Sequence, residues 1–408
     1  MRIIVVGGGA AGLMAAGTAA VYADEVVLIE KNEAFGRKLR ITGKGRCNIT
    51  NICDVAEMID KYPGNGRFLY SALYGFTNDD MIALLGEYGV KTKVERGGRV
   101  FPVSDDARDV VRAMKSYALK SNVKSRHAEV RSLIISDCAV KGVRTDKGEI
   151  KGDAVILATG GASYKNTGSD GYGYELAKSA GHTVTEIVPS LVPLCVREKW
   201  CRDIMGLSLK NVGLAAFDRK GRGLYSAQGE LLFTHFGVSG PLILSASSHM
   251  RRSAAGCVLK IDLKPALSVE QLDARILRDF GERKNKHIIN ALDALLPKAL
   301  IHVVVGIAEI EPHKSVNEIT REERQRLGSV LKALTLNITG FRPIDEAIIT
   351  SGGVRVSEIN PSTMESKIVS GLYFAGEIID IDGYTGGYNL QAAWSTGHLA
   401  GMSAASNR

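Results

Sequence analysis

Gly7, Gly9 and Gly12 stand in a Gly-x-Gly-x-x-Gly series, and Glu30 follows at the distance where such a series meets a ribose. The main chain does the chemistry of this spacing. Gly7 makes a tight turn, Gly9 lets the backbone approach a pyrophosphate, and Gly12 lets a helix pack closely on a strand. Ala10 and Ala11 lie between the glycines and count with them as cofactor contacts, and the N-terminus of the helix that follows offers free N–H groups to phosphate charge. A second group, Arg40 to Asn51 (RITGKGRCNITN), crowds Arg40, Lys44 and Arg46 among glycines, Cys47 and two asparagines. It has neither helical nor strand periodicity and reads as a loop. A P-loop is excluded, because Gly43-Lys44 is followed by Gly45 and the preceding Gly36 is wrongly spaced. A single-strand RNA platform wants interleaved aromatics, and none lies between Arg37 and Tyr62. What remains is a set of backbone donors, guanidinium groups and amides suited to phosphates and the edge of a flavin ring. Lys31, Arg37, Lys38, Thr42, Gly43, Gly45 and Arg46 belong to this set, with Cys47 and Asn48 deepest.

These residues need elements to hold them. Ile3–Val6 reads as a strand buried on both faces, Leu13–Tyr22 as a small-residue helix, and Glu25–Ile29 as a second strand ending at Glu30. Val155–Gly161 is another buried strand, ending in the small turn Ala158-Thr159-Gly160-Gly161. A helix Tyr172–Ala180 follows, with Asp170 or Ser169 as its N-cap. Val123–Ile135 and Val140–Arg144 alternate like a small hairpin layer, and Val130 within it is counted among the cofactor contacts. At the other end, Leu372–Ala375 is a strand closed by Gly376-Glu377. Gly383–Gly387 is a turn, and Tyr388–Ala400 is a helix: a second strand–glycine–helix unit whose N-terminus faces negative charge.

The pattern changes between about Ser190 and Arg342. Leu191–Val196, Leu207–Phe217, Glu230–Thr234 and Val258–Leu263 read as short strands. Leu242–Met250, Val269–Phe280, Ile288–Leu296, Pro297–Val305 and Arg321–Leu334 read as helices. The expected organisation is therefore a discontinuous α/β dinucleotide domain, 1–190 with 343–408, interrupted by an inserted domain, 191–342. The insert has a small β-layer or β-barrel over about 191–264 and a helical part over about 265–342.

Composition narrows the function. The chain has 408 residues, 45 of them glycine, and a formal charge of +8, which suits an anionic partner such as a phosphate-bearing cofactor. No basic run argues for nucleic acid. The six cysteines show no metal-ligand spacing, so no metal site is expected and a reducing compartment is. The uncharged stretch Ile3–Ala23 is glycine-broken, so it is not read as a signal peptide or membrane span, and the expected location is the cytoplasm.

The motifs GGGAAGLMAA (7–16), GRKLRITGKGRCNITN (36–51), ATGGASYKNTGSDGYGYELAKSAGH (158–182), FTHFGVSGP (233–241) and GLYFAGEIIDIDGYTGGYNLQAAWSTG (371–397) span nearly the whole chain. In them the chain resembles the HI0933-like, BaiN-like (aminoacetone oxidase-like) family of NAD(P)/FAD-dependent oxidoreductases. That resemblance implies a glutathione-reductase-type, Rossmann-like two-dinucleotide fold with non-covalent FAD. The ATGG turn would lie near the pyrophosphate. Gly386, Gly387, Tyr388, Asn389 and Leu390 would meet the N1/C2=O edge of the flavin, with Asp382 at the approach and Glu377 acting through its neighbouring backbone. The insert would cover the flavin above a small organic substrate. With no second Gly-x-Gly-x-x-Gly-plus-acid unit, NAD(P)H would bind only transiently. Candidate acids or redox partners are His235, Tyr164 and Cys47, with Tyr384 as a further phenol. Two other readings stay open: an FAD-dependent RNA-modifying enzyme, and a non-catalytic flavin sensor or electron-transfer protein.

Overall fold

The computed structural model of the chain describes residues 1–250 and 253–406. The apolar run near the N-terminus forms a strand in which Ile3, Ile4 and Val5 are fully enclosed. Such a strand needs a partner on each side and cover on both faces. It finds them in a five-stranded parallel sheet of β1 (Arg2–Val6), β2 (Glu25–Glu30), β3 (Val123–His127), β4 (Ala154–Leu157) and β5 (Leu372–Phe374). The spatial order is β5-β4-β1-β2-β3, and every pairing is parallel. This is the Rossmann-type architecture expected from the sequence.

The expected strand Val123–Ile135 is two elements. Ala128 still donates its N–H to the Glu30 carbonyl, whereas Glu129 donates to the Asp146 carboxylate. The chain therefore leaves the parallel sheet after β3. Val130–Ser136 then begins a separate antiparallel layer with Ala139–Thr145 and Gly148–Lys151. The helix Tyr172–Ser179 is capped by Gly171 in the left-handed region, not by the side chain of Asp170 or Ser169. Asp170 still accepts the Tyr172 N–H at 3.1 Å.

The first helix covers Ala10–Ala19, starting at Ala10 rather than Leu13, and the C-terminal helix covers Tyr388–Ser406. They pack backbone to backbone. A β-carbon on Gly397 would overlap the Ala11 carbonyl oxygen, and one on Gly401 would come within 2.5 Å of the Ala15 carbonyl. The contacts advance together along both helices, so the two run parallel, and both N-termini point to the carboxyl edge of the sheet.

Contacts divide the chain into two units, Met1–Ser190 with Pro343–Arg408, and Leu191–Arg342. The second unit has its own core around Leu214, Phe233, Leu259 and Leu336. It holds a closed barrel of Leu194–Val196, Gly237–Ser239, Gly223–Thr234, Ser208–Phe217, Val258–Asp262 and Leu334–Phe341, in that order. Its helices include Val269–Glu282, Lys298–Ile307 and Arg321–Lys332. The expected helix Arg321–Leu334 stops at Lys332 because Ala333 leaves the helical region (φ −150°, ψ 58°). Leu334, Leu336 and Ile338 then alternate inward as the barrel strand that the sequence reading missed. Among the described residues no helix is long and apolar enough to cross a membrane.

The helix contact yields a paired prediction. Gly397→Ala should cost about 1–3 kcal/mol by overpacking. Gly328→Ala, in a helix interior with open space around it, should gain up to about 1 kcal/mol. Chemical denaturation of the two variants checks the opposite signs.

Candidate functional site

The site starts at the turn after β1. Gly7 has φ +105°, and its missing β-carbon leaves room for the Ala158 carbonyl. Glu30, at the end of β2, fixes the turn. Its Oε2 accepts the Gly8 N–H at 2.7 Å, and its Oε1 accepts the Asn32 N–H at 2.8 Å and the Asn32 side-chain amide at 2.7 Å. The N–H groups of Gly9, Ala10 and Ala11 meet no acceptor among the described residues. Gly9 faces open space, with nothing within 4 Å of the position its β-carbon would take. Thr159 Oγ1, in the ATGG turn after β4, is buried without a hydrogen-bond partner. Beyond Glu30 lies a polar cavity of about 350 Å³, walled by Lys31, Asn32, His127, Glu129, Lys147 and Asp170 among others. Val130 is buried close to that wall. Free amides, an orphaned hydroxyl and a cavity beside the acid that ends β2 fit the pyrophosphate and adenosine of FAD.

The second cradle is the N-terminus of the C-terminal helix. The N–H groups of Tyr388, Asn389 and Leu390 meet no acceptor among the described residues. Gly387 differs. With the Asn48 amide turned to satisfy both its atoms, its oxygen accepts the Gly387 N–H at 2.9 Å and its nitrogen donates to the Thr50 carbonyl at 3.2 Å. Tyr62 donates its hydroxyl to the Tyr388 carbonyl at 2.7 Å, and Asn51 donates to the Gly386 carbonyl at 3.1 Å. Asn389 closes its own turn, accepting from Gly383 N–H at 2.7 Å.

Several expected roles change. The glycine–basic segment is not all loop, since Arg37–Ile41 is a short helix. The four cations expected as ligands, Lys31, Arg37, Lys38 and Arg46, are already engaged. Lys31 pairs with Asp170 at 2.6 Å, Arg37 donates to the Asn32 side-chain Oδ1 at 2.8 Å, and Lys38 donates to Glu377 at 2.7 Å and Ser163 at 2.8 Å. Arg46 pairs with Glu95 and Asp105 and stacks on Phe101 at 4.2 Å. The guanidinium of Arg46 therefore braces the loop and is not free for a phosphate. Asp382 does not stand open at an approach. It is buried and accepts the hydroxyls of Ser190 and Ser351, each at 2.9 Å. The Glu377 carboxylate is held by Lys38 and by the Thr350 N–H at 2.9 Å.

The catalytic candidates separate clearly. Cys47 is fully buried in a left-handed backbone (φ +60°), and burial pushes its thiol up to about 12. It stays a thiol, which removes the thiolate that a redox relay needs. Thr42, whose hydroxyl donates to the Leu39 carbonyl at 2.7 Å, lies beside it. Gly43 and Gly45 precede it, both in the left-handed region, with Arg46 right-handed between Gly45 and Cys47. His235 lies in the second unit, exposed and edge-on to Phe236 at 4.9 Å. Tyr164 is half-buried on the carboxyl edge of the parallel sheet. Sequence reasoning missed Asn51, Tyr62, Ser163 and Thr350. Each acts on a residue far along the chain; Asn51 and Ser163 stand within quoted motifs, but nothing local marks their partners.

The fold and the paired helix N-termini define a Rossmann-type flavoprotein oxidoreductase. The chain belongs to the family described as HI0933-like protein Rossmann domain, whose model matches residues 1–403. It is 33% identical to a 3-dehydro-bile acid delta(4,6)-reductase of Clostridium scindens, over 99% of both chains. It is 31% identical to a ribosomal RNA dihydrouridine synthase of Haemophilus influenzae, over 98% of this chain and 97% of that one. The namesake from Escherichia coli is also 31% identical, over 96% and 95%. Among solved structures, the 3-ketosteroid delta1-dehydrogenase of Sterolibacterium denitrificans has the same fold. It aligns with a TM-score of 0.52 at 13% identity, over 100% of this chain and 99% of that one.

Glu30 gives a direct test. Glu30→Gln should weaken FAD binding by at least about tenfold, the size of one charge-assisted hydrogen bond. Titrating the apoprotein with FAD by flavin fluorescence checks it.

Proposed function

We propose that this FAD-dependent oxidoreductase reduces a carbon–carbon double bond conjugated to a carbonyl group, with NAD(P)H as a transiently bound reductant. One observation carries the reading. The relatives aligned over nearly the whole chain are named for different substrates, yet both reactions saturate the same kind of bond. In a 3-dehydro bile acid the ring double bonds are conjugated to the C3 carbonyl. In uridine the C5=C6 bond is conjugated to the C4 carbonyl.

Bound FAD would supply the hydride to the far carbon of that bond. The protein's own contribution is electrostatic and positional. Gly9, Ala10 and Ala11 offer their N–H groups to the pyrophosphate, and Glu30 takes the ribose hydroxyls. Tyr388, Asn389 and Leu390 present N–H groups, and with them the positive end of a helix, to the flavin edge that gains charge on reduction. The parallel sheet is the one sheet of its kind among the described residues. This supports NAD(P)H visiting the flavin without a second dinucleotide fold to hold it.

A small unsaturated carbonyl compound is the first substrate class to try. RNA is the second. Dihydrouridine synthase relatives at nearly the same identity favour it, and so do the exposed Arg40 and Lys44 near the Cys47–Asn48 turn. The test is anaerobic. Protein reduced with NADPH or NADH is mixed with cyclohexenone, a 4-en-3-one steroid, or uridine-containing RNA, and flavin reoxidation and product mass are read. The expected result is reoxidation by one class, with two hydrogens gained by the product. Reoxidation by none of them, together with flavin bleaching by small amines, would contradict the proposal.

A further inference from the structure

Saturating a conjugated double bond takes a hydride at one carbon and a proton at its neighbour. Among the described residues, Tyr164 is a phenol available for the second task. Tyr164 follows β4 on the carboxyl edge of the sheet, where ligands of this fold bind. It is a non-glycine residue in the left-handed region (φ +53°, ψ +54°), a conformation that persists where surrounding structure over-determines it. The Thr167 N–H and hydroxyl both donate to its carbonyl, at 2.8 and 2.7 Å, and hold it there. Its ring is half-buried, and its hydroxyl has no hydrogen-bond partner among the described residues. Other buried phenols of this unit are engaged: Tyr62 with the Tyr388 carbonyl, Tyr174 with the Glu377 carbonyl, and Tyr388 with the Cys53 thiol.

Beside Tyr164 stands a fixed cation. The Lys38 ammonium is 6.0 Å from the centre of the Tyr164 ring. It is held by Glu377 at 2.7 Å and by Ser163, the neighbour of Tyr164, at 2.8 Å. Glu377 is in turn fixed by the Thr350 N–H at 2.9 Å, and Thr350 accepts the Ala162 N–H at 3.3 Å. Loops following β2, β4 and β5 thus lock one lysine next to one unengaged phenol. Burial raises the phenol's pKa, so it rests protonated at neutral pH.

We infer that Tyr164 is the proton donor of the reaction and that Lys38 is the positioning residue that stabilises the phenolate left behind. The inference rests on the reading that the substrate is a conjugated carbonyl compound. Reduced FAD, when bound, would supply a hydride to the carbon distal to the carbonyl, and the π electron pair would move to the carbon next to the carbonyl. That carbon forms its C–H bond as the Tyr164 O–H bond breaks. The phenolate regains a proton from water, with the Lys38 ammonium 6.0 Å from its ring centre.

The test uses the full-length, FAD-loaded protein with Tyr164→Phe and Lys38→Met. Tyr164→Phe should lower turnover by about a hundredfold or more while FAD content per chain is kept. The pH titration of the ultraviolet tyrosinate signal, taken as the difference between parent and Tyr164→Phe, reads the phenol directly. In the Lys38→Met background that titration should move up by about one pH unit, since the phenolate loses its cation. Tyr164→Phe turning over within about threefold of the parent would overturn the inference, because a general acid is worth far more. So would a phenol that titrates alike with and without Lys38. A parent protein that reduces no conjugated carbonyl compound overturns the function proposed above. The Lys38–Tyr164 coupling is read separately, since the titration needs no substrate.

Discussion

Two helices in backbone contact set the geometry of this molecule. Gly397 and Gly401 leave no β-carbon between the C-terminal helix and the carbonyls of Ala11 and Ala15. The helices are parallel, so two positive helix ends face one edge of the sheet. Ala10 opens the first helix and aligns with the residue before Gly397, while the C-terminal helix begins at Tyr388. At 1.5 Å per residue, its N-terminus extends about 12 Å beyond that of the first helix. A dinucleotide carrying a pyrophosphate at one end of a ribityl chain and a ring that gains charge at the other matches two such ends better than a single phosphate would.

Charge neutralisation explains why backbone dipoles, and not cationic side chains, face that ligand. Lys31, Lys38 and Arg46 are each paired with carboxylates of the same unit. Drawing Lys38 away would strand Glu377, whose side chain is about one-fifth exposed. Breaking a fully buried pair costs about 3–5 kcal/mol, and even a discounted share of that rivals the roughly 0.3–2 kcal/mol of a helix terminus. The pairs therefore remain as braces. The same economy holds Asp382, which ties Ser190 and Ser351 to the loop before the C-terminal helix.

The parts legible in the sequence were those written in neighbouring residues. The turn after β1 needs glycine where φ is positive and an acid at the end of β2, and both are visible in the spacing of Gly7 and Glu30. The buried runs of β1, β2 and β4 announce a parallel sheet by their lack of a polar face. Other features depend on partners far along the chain. Arg46 looks like a phosphate ligand until Glu95 and Asp105 are seen to surround it. Asp382 looks exposed among glycines until the two serines close over it. Val123–Ile135 reads as one strand because nothing local marks the Glu129 N–H leaving the sheet for Asp146. Leu334–Phe341 was hidden behind a helix pattern that ends at a single non-helical residue, Ala333. Cys47 has the right neighbours for chemistry, and only its complete burial removes it.

The most direct measurement is the visible spectrum of the purified protein, with the bound flavin released and identified. The account predicts a yellow protein releasing FAD, close to one per chain, with the flavin bound non-covalently. A colourless protein that takes up no FAD when the apoprotein is titrated, or one that binds only FMN, would contradict a site built from two helix ends about 12 Å apart.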